Sequence, residues 1–141
     1  MTKIWQKIIS RLILHPQRLF LIDGIGAFVT AVFLFAILKS FNDFVGMPQP
    51  SLILLLLIAL VFCIYSISCF FILKRKWQAY LQALSIANLL YCAFTLGLVI
   101  FYLPRLTTLG LVYFLIEIAV IVALAIWELS VLKLNNAKTQ P

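Results

Sequence analysis

The sequence SLILLLLIALVFCIYSISCFFIL, residues 51 to 73, contains no charged side chain and is almost entirely apolar. An α-helix rises about 1.5 Å per residue, so a run of this length reaches across the roughly 30 Å hydrocarbon core of a bilayer. Apolar runs of this length are typical of transmembrane helices. We therefore predict a membrane-spanning helix over residues 51–73.

Three further apolar runs predict spans over residues 19–41, 77–103 and 107–132. Between the first two spans, Asn42 to Pro50 contains Gly46, Pro48 and Pro50, which interrupt a helix. The other two connections are so short that consecutive helices must pack antiparallel. The sequence therefore predicts an all-α, membrane-embedded, up-down four-helix bundle that forms one domain over residues 1–141.

Composition supports a membrane protein and argues against a nucleic-acid-binding one. The chain is 65% hydrophobic and 11% charged, with a mean hydropathy of +1.17, whereas soluble domains contain about 25% charged residues. The net charge is +7, but the basic residues flank apolar segments and do not form one patch interleaved with aromatic residues. These flanking basic residues are better explained as the signals that orient spanning helices in a membrane.

The basic residues predict that both termini are cytoplasmic. Three basic segments alternate with two nearly uncharged connections, and loops rich in lysine and arginine remain on the cytoplasmic side. Trp77 and Trp127 fall near the same predicted boundary, as interfacial aromatic residues do. The three segments hold nine of the eleven basic residues: Lys3, Lys7, Arg11, Arg18, Lys74, Arg75, Lys76, Lys133 and Lys138.

The first segment, Thr2 to Arg18, is expected to be a short amphipathic helix. Ile4, Ile8 and Leu12 recur at helical spacing between basic residues, which is typical of a helix in the membrane interface, here anchored by Trp5. No small-x-small cleavage site follows a short apolar core, so we expect the first span to be retained.

Cysteine and histidine usage argues against a metal, a cofactor or a redox pair. Cys63, Cys69 and Cys92 lie within apolar runs without CxxC spacing. The single histidine, His15, stands beside Pro16 before the first span and indicates a bend. A vitamin K epoxide reductase-like enzyme needs the CxxC pair, and zinc-dependent or serine-based intramembrane proteases need membrane histidines. We therefore expect none of these activities.

Polar residues within the predicted spans are the candidate site residues, because a carboxylate at the centre of a spanning helix costs about 2.5–3.5 kcal/mol. Counting along each helix from the basic flanks places Glu117 and Asn88 near the midplane, where we expect them to meet. It places Asp23 and Glu128 in the cytoplasmic third, where we expect a shared, cytoplasm-facing vestibule. Tyr113 falls on the same helical face as Glu117 and completes the set.

Helical spacing predicts which faces point inward. Glu117 and Glu128 are about three turns apart and share one face of the fourth span. Small residues beside the polar face of the third span predict a close helix contact. The third span carries the polar stripe Ser85, Asn88, Cys92 and Thr95 and the small residues Ala79, Ala83 and Ala87; the second offers Tyr65, Ser68 and Cys69; the first offers Asp23, Ala27, Thr30 and Ala31.

Each polar residue also has a structural interpretation. Asn88 would join helices by hydrogen bonding, Glu128 would extend to the cytoplasmic interface near Lys133, and Asp23 would pair with a basic residue or line a site. No basic residue reaches the depth of Glu117, and we expect its carboxyl group to be neutral because desolvation disfavours the charged form. Glu117 then has one of two roles. It forms a structural hydrogen bond with Asn88 or Tyr113, or water reaches it and it carries protons or a cation.

The stretches LFLIDGIGAFVTA, GMPQPSL, IYSISCFF, IANLLYC and LGLVYFLIE resemble a group of uncharacterised small bacterial integral membrane proteins with four spans. The resemblance extends from Leu19 to about Leu132. It implies a bacterial cytoplasmic (inner) membrane and the same multi-pass layout, and it carries no assigned activity or site residues. Small multidrug transporters also have four spans and a membrane carboxylate, but theirs lies nearer the midplane than Asp23.

Three classes of function remain for this chain, of which an enzyme acting on a lipid or a quinone is the least favoured. We expect a non-catalytic bundle that binds a partner protein or lipid, because no nucleophile, base and oxyanion site can be assembled. The alternative is a small proton- or cation-coupled transporter or channel, working as a homo-oligomer, that uses Glu117 with Asp23 or Glu128. The substrate, the partner and the stoichiometry are not encoded in any motif of this sequence.

Overall fold

The computed structural model describes residues 2–14, 17–72 and 76–139, and within them the chain is helical with no strand. The predicted bend at His15 and Pro16 and the basic residues Lys74 and Arg75 lie outside the described residues. The predicted all-α four-helix bundle is confirmed. The helices are α1 (Thr2–Leu14), α2 (Gln17–Ala36) followed by a π-helical turn (Ile37–Phe41), α3 (Asn42–Val45), α4 (Gln49–Ile72), α5 (Trp77–Phe101) and α6 (Thr108–Thr139).

Four of these helices are long and apolar enough to cross a membrane: Gln17–Ser40, Gln49–Ile72, Trp77–Phe101 and Thr108–Ala137. Large apolar side chains such as Ile64, Phe71 and Leu90 cover the outside of the bundle. α6 continues to Thr139, past the predicted end of the span at 132, because residues 133–139 include no glycine or proline to end it.

The first connection is more helical than the sequence predicted. The chain remains helical through the π-helical turn and α3 to Val45, and only Gly46 to Pro48 are non-helical. Gly46 has a φ of +83°, a left-handed conformation that favours glycine. Pro50 lies in the first turn of α4, where its missing N–H removes no hydrogen bond. The predicted loop over 42–50 is therefore shortened at both ends.

The four long helices form two closely packed pairs, α2 with α4 and α5 with α6, and the contact between α2 and α6 is slight. We call the end that carries Arg18, Lys76 and Lys133 the basic end, and the end that carries Gly46 and Arg105 the loop end. An apolar cluster closes each end. Leu34, Leu52, Leu55, Val99 and Phe114 belong to the cluster toward the loop end, and Leu19, Phe20, Leu81, Leu84 and Val131 to the cluster toward the basic end, which Trp77 and Trp127 both join.

At the loop end, Thr107 ties the two helix pairs together. Its backbone N–H donates to the carbonyl oxygen of Val45 at 3.1 Å, and its hydroxyl donates to the carbonyl oxygen of Phe44. The same hydroxyl accepts the N–H of Gly110 at 3.1 Å and so caps α6. This contact fixes the height of α6 relative to the first pair.

Candidate functional site

A buried polar layer joins the two helix pairs between the apolar clusters. Asp23 on α2 accepts two hydrogen bonds: Oγ of Ser66 on α4 donates to its Oδ2 at 2.7 Å, and Nδ2 of Asn88 on α5 donates to its Oδ1 at 2.7 Å. Asp23 is 3% exposed, and both donors are buried. One carboxyl group therefore connects three helices.

Glu128 adds the fourth helix to this layer. It is fully buried on α6, and its Oε2 accepts a hydrogen bond from Oγ of Ser85 at 2.8 Å. Its carboxyl group lies within hydrogen-bonding reach of the Asp23 carboxyl group. The other oxygen, Oε1, is buried and has no hydrogen-bond donor in the described part of the chain.

Two adjacent buried carboxyl groups without a counter-charge favour a proton held between them. Both oxygens of Asp23 already accept hydrogen bonds, and among the described residues no lysine or arginine acts on the pair. A proton shared between Glu128 and Asp23 would remove the repulsion between two carboxylates. We therefore predict that Asp23 and Glu128 share a proton, and we call these two residues the acidic pair.

A second polar group lies along α6 toward the loop end. Glu117 Oε1 accepts a hydrogen bond from the phenol of Tyr91 on α5 at 2.8 Å. The phenol of Tyr113, one turn before Glu117 on α6, lies against the same carboxyl group. Glu117 is 8% exposed, and its Oε2 has no hydrogen-bond partner among the described residues.

A cavity of about 410 Å³ lies between α2 and α6 and connects the two polar groups. This volume is within the roughly 300–1,000 Å³ of small-molecule sites. Its walls are largely apolar, and because Phe33 on α2 and Val120 on α6 are more than half exposed, it opens to the outside between these helices. Its polar lining residues are Asp23, Thr30, Asn88, Tyr91, Tyr113 and Glu117, and Gly26, Ala27, Ala59, Phe62 and Ile121 are among the others.

The predicted pairing of Asn88 with Glu117 is wrong, because Asn88 bonds to Asp23 and Tyr91 bonds to Glu117. Counting residues from the basic flanks assumes that all helices begin at one height without tilt, whereas spanning helices tilt by about 20° on average. Asn88 therefore lies at the level of the acidic pair. Tyr91, which no sequence pattern singled out, lies about one turn further along the same face of α5.

Asp23 and Glu128 are adjacent, as their predicted depths suggested, but they do not line a vestibule that opens at the basic end. Leu19 and Phe20 on α2, Leu81 and Leu84 on α5 and Val131 on α6 pack between the pair and that end. Glu128 also does not extend to the interface beside Lys133, because it is fully buried while Lys133 is exposed.

Two other predictions about inward faces need correction. In the second span Ser66, not Ser68, faces the interior: Ser66 is fully buried and Ser68 is exposed. Ala79 and Ala83 are exposed and do not form the expected close helix contact. Inward-facing residues of α4 are hard to identify because apolar side chains surround this helix. The polar stripe of α5 was predicted correctly, since Ser85, Asn88, Cys92 and Thr95 are all buried.

The described residues contain no group of three or more histidine, cysteine, aspartate or glutamate side chains that could hold a metal ion. Cys63, Cys69 and Cys92 are free, buried thiols. The polar groups that line the cavity are carboxyl, amide, hydroxyl and phenol groups. No protein family, curated protein or solved structure matches this chain.

Proposed function

We propose that this chain is a non-catalytic, multi-pass protein of the bacterial cytoplasmic membrane that binds a lipid or another amphipathic molecule in the cavity between α2 and α6. The cavity is the observation that supports the proposal. It has the volume of a ligand site, mostly apolar walls and polar groups at defined positions, which is how small-molecule sites are built. A partner protein bound at the outer surface is the less favoured form of the same proposal.

The route into the cavity favours a ligand that arrives from the bilayer. The opening lies between exposed apolar side chains of α2 and α6, and the apolar cluster of Leu19, Leu81 and Val131 separates the acidic pair from the basic end. With the four long helices spanning the bilayer, the opening faces the hydrocarbon core. A hydrophobic ligand reaches such an opening without passing through water.

The experiment is native mass spectrometry of the full chain purified from its own membranes. The wild type is expected to retain a lipid-sized adduct. Ala27→Phe, which fills the cavity, is expected to lose it, whereas Ala83→Phe on the exposed face of α5 retains it. An adduct held equally by both variants would overturn the proposal, as would a wild type free of any adduct.

A proton- or cation-coupled transporter is the second candidate, favoured by one observation. Asp23 and Glu117 line the same cavity, and Glu128 contacts Asp23, so three protonatable groups follow one another through the bundle interior. Four helices enclose little space, so this function would use a homo-oligomer. Reconstituted protein that gives no proton flux and no substrate-driven pH change in liposomes would remove this candidate.

A further inference from the structure

We propose that the cavity selects amphipathic molecules whose polar head is an aliphatic amine, with the amine nitrogen held against Glu117. This inference rests on the proposed function, because it specifies the ligand of the same cavity. The supporting observation is that the Glu117 carboxyl group lines an apolar cavity, and that its Oε2 has no hydrogen-bond partner among the described residues.

The cavity offers hydrogen-bond acceptors, and several of its donors are already engaged. Tyr91 already donates to Glu117 Oε1, the Tyr113 phenol lies against the same carboxyl group, and Asn88 and Ser66 already donate to Asp23. Glu117 Oε2 has no donor within the described ranges. A buried acceptor without a partner costs about as much free energy as a lost hydrogen bond. A ligand that brings an N–H group to Oε2 supplies what the protein lacks.

The charges around the cavity exclude an anionic head. Asp23 and Glu117 line the cavity, and no lysine or arginine of the described chain acts on Glu117. A phosphate or carboxylate head would be desolvated beside acidic groups without a counter-charge. A neutral amine takes up the proton of a protonated Glu117, and an ammonium ion binds an ionised Glu117 directly. Both routes give the same ion pair. An amine head is therefore compatible with either protonation state of Glu117.

Aromatic rings around the site add to the preference for an amine. Phe33, Phe62, Tyr91 and Tyr113 line the cavity together with Glu117. The centroids of Phe62 and Tyr91 are 5.9 Å apart, and those of Phe33 and Tyr113 are 6.4 Å apart. Ring faces attract cations, most strongly where water is excluded. The remaining aliphatic walls accommodate an alkyl body.

The test is equilibrium binding of radiolabelled octylamine to the full chain in phosphatidylcholine nanodiscs, with empty nanodiscs as the partition blank. Saturable binding is expected, with octanol and octanoate competing at least about tenfold more weakly than unlabelled octylamine. Glu117→Gln is expected to weaken binding about 10- to 100-fold, the usual loss for a hydrogen bond to a charged group. Asp43→Asn, a change at an exposed carboxyl group outside the cavity, should leave binding unchanged.

A second measurement does not depend on the Glu117 variant. With ¹⁵N-octylamine and protein labelled with ¹³C at the glutamate carboxyl carbons, solid-state NMR should show one ¹³C–¹⁵N contact, from the Glu117 carboxyl carbon to the amine nitrogen. No contact at saturating octylamine would overturn the inference. Phosphatidylethanolamine, whose amine is accompanied by a phosphate, should not compete, and competition by it would also overturn the assignment.

The outcomes separate this inference from the proposed function. If octanol and octylamine bind equally and Glu117→Gln changes neither, the amine assignment is wrong while the cavity still binds amphipathic molecules. If neither compound binds saturably and no native adduct is found, both proposals fail.

Discussion

Nδ2 of Asn88 lies 2.7 Å from Oδ1 of Asp23, and this hydrogen bond joins α5 to α2 across the boundary between the two helix pairs. The pairs otherwise meet through few contacts. Because Ser66, Ser85 and Glu128 complete the same layer, the polar layer links all four long helices. It holds one wall of the cavity in place, so the groups that stabilise the bundle also shape the candidate site.

We expect Ser66→Ala to destabilise the bundle and Ser68→Ala to have little effect. Ser66 is buried and donates to Asp23 at 2.7 Å, whereas Ser68 is exposed on the same helix. Hydrogen bonds between spanning helices contribute about 0.6 kcal/mol on average and up to about 1.7 kcal/mol. The free energy of unfolding, measured by denaturant titration in mixed micelles, should fall by about that amount for Ser66→Ala. Equal effects of the two variants would contradict the assigned orientation of α4.

We expect Glu128→Gln to be tolerated and Glu128→Ala to be costly. A glutamine amide supplies the N–H that the shared proton provides in the wild type, so the unfolding free energy should change by about 1 kcal/mol or less. Alanine leaves a void and removes the hydrogen-bond partner of Ser85 and Asp23. The unfolding free energy should therefore fall by about 2 kcal/mol or more.

Infrared spectroscopy provides the second readout for the acidic pair. The difference spectrum of Glu128→Gln against the wild type should show the loss of one protonated carboxyl band. Asp43→Asn, at an exposed position, serves as the control and should show no such loss. A wild-type pair with two ionised groups would give no protonated band to lose and would refute the shared proton.

We expect opposite effects from alanine at two helical glycines. A Cβ atom at Gly110 would lie 2.5 Å from the carbonyl oxygen of Val45, so the contact between α6 and the first connection has no room for it. Gly110→Ala should therefore cost about 1–3 kcal/mol of unfolding free energy. A Cβ atom at Gly97 meets nothing within 4 Å, and Gly97→Ala should stabilise α5 by up to about 1 kcal/mol. A destabilised Gly97→Ala protein would show that α5 packs against something else there.

We expect the basic end to face the cytoplasm. With the three buried cysteines replaced by alanine, single cysteines at Lys76 and Lys133 should react with a membrane-impermeant maleimide only after permeabilisation. Single cysteines at Asp43 and Arg105, both exposed at the loop end, should react in intact cells. The reverse pattern would invert the orientation and place the loop end in the cytoplasm.

Local composition was enough to predict the number of long helices, most of their approximate ends, the buried polar stripe of α5 and the inward face of α6. Each of these depends on the free energy of transferring single side chains from water to an apolar solvent. That free energy is a property of each residue and does not depend on its neighbours. Thus the uncharged run at 51–73 predicted α4, and the spacing of Glu117 and Glu128 predicted the face of α6 that is buried. The helix-breaking effect of Gly46 was likewise a local property.

The partners of those inward residues were set only when the helices packed. Asn88 lies beside Asp23, and Tyr91 beside Glu117, because the relative height, tilt and rotation of α2, α5 and α6 result from contacts between residues far apart in the chain, including Thr107 with Val45. The same long-range packing leaves the gap between α2 and α6 that forms the cavity. No local pattern contains that information, since a residue's depth along its own helix does not fix which neighbour reaches the same point.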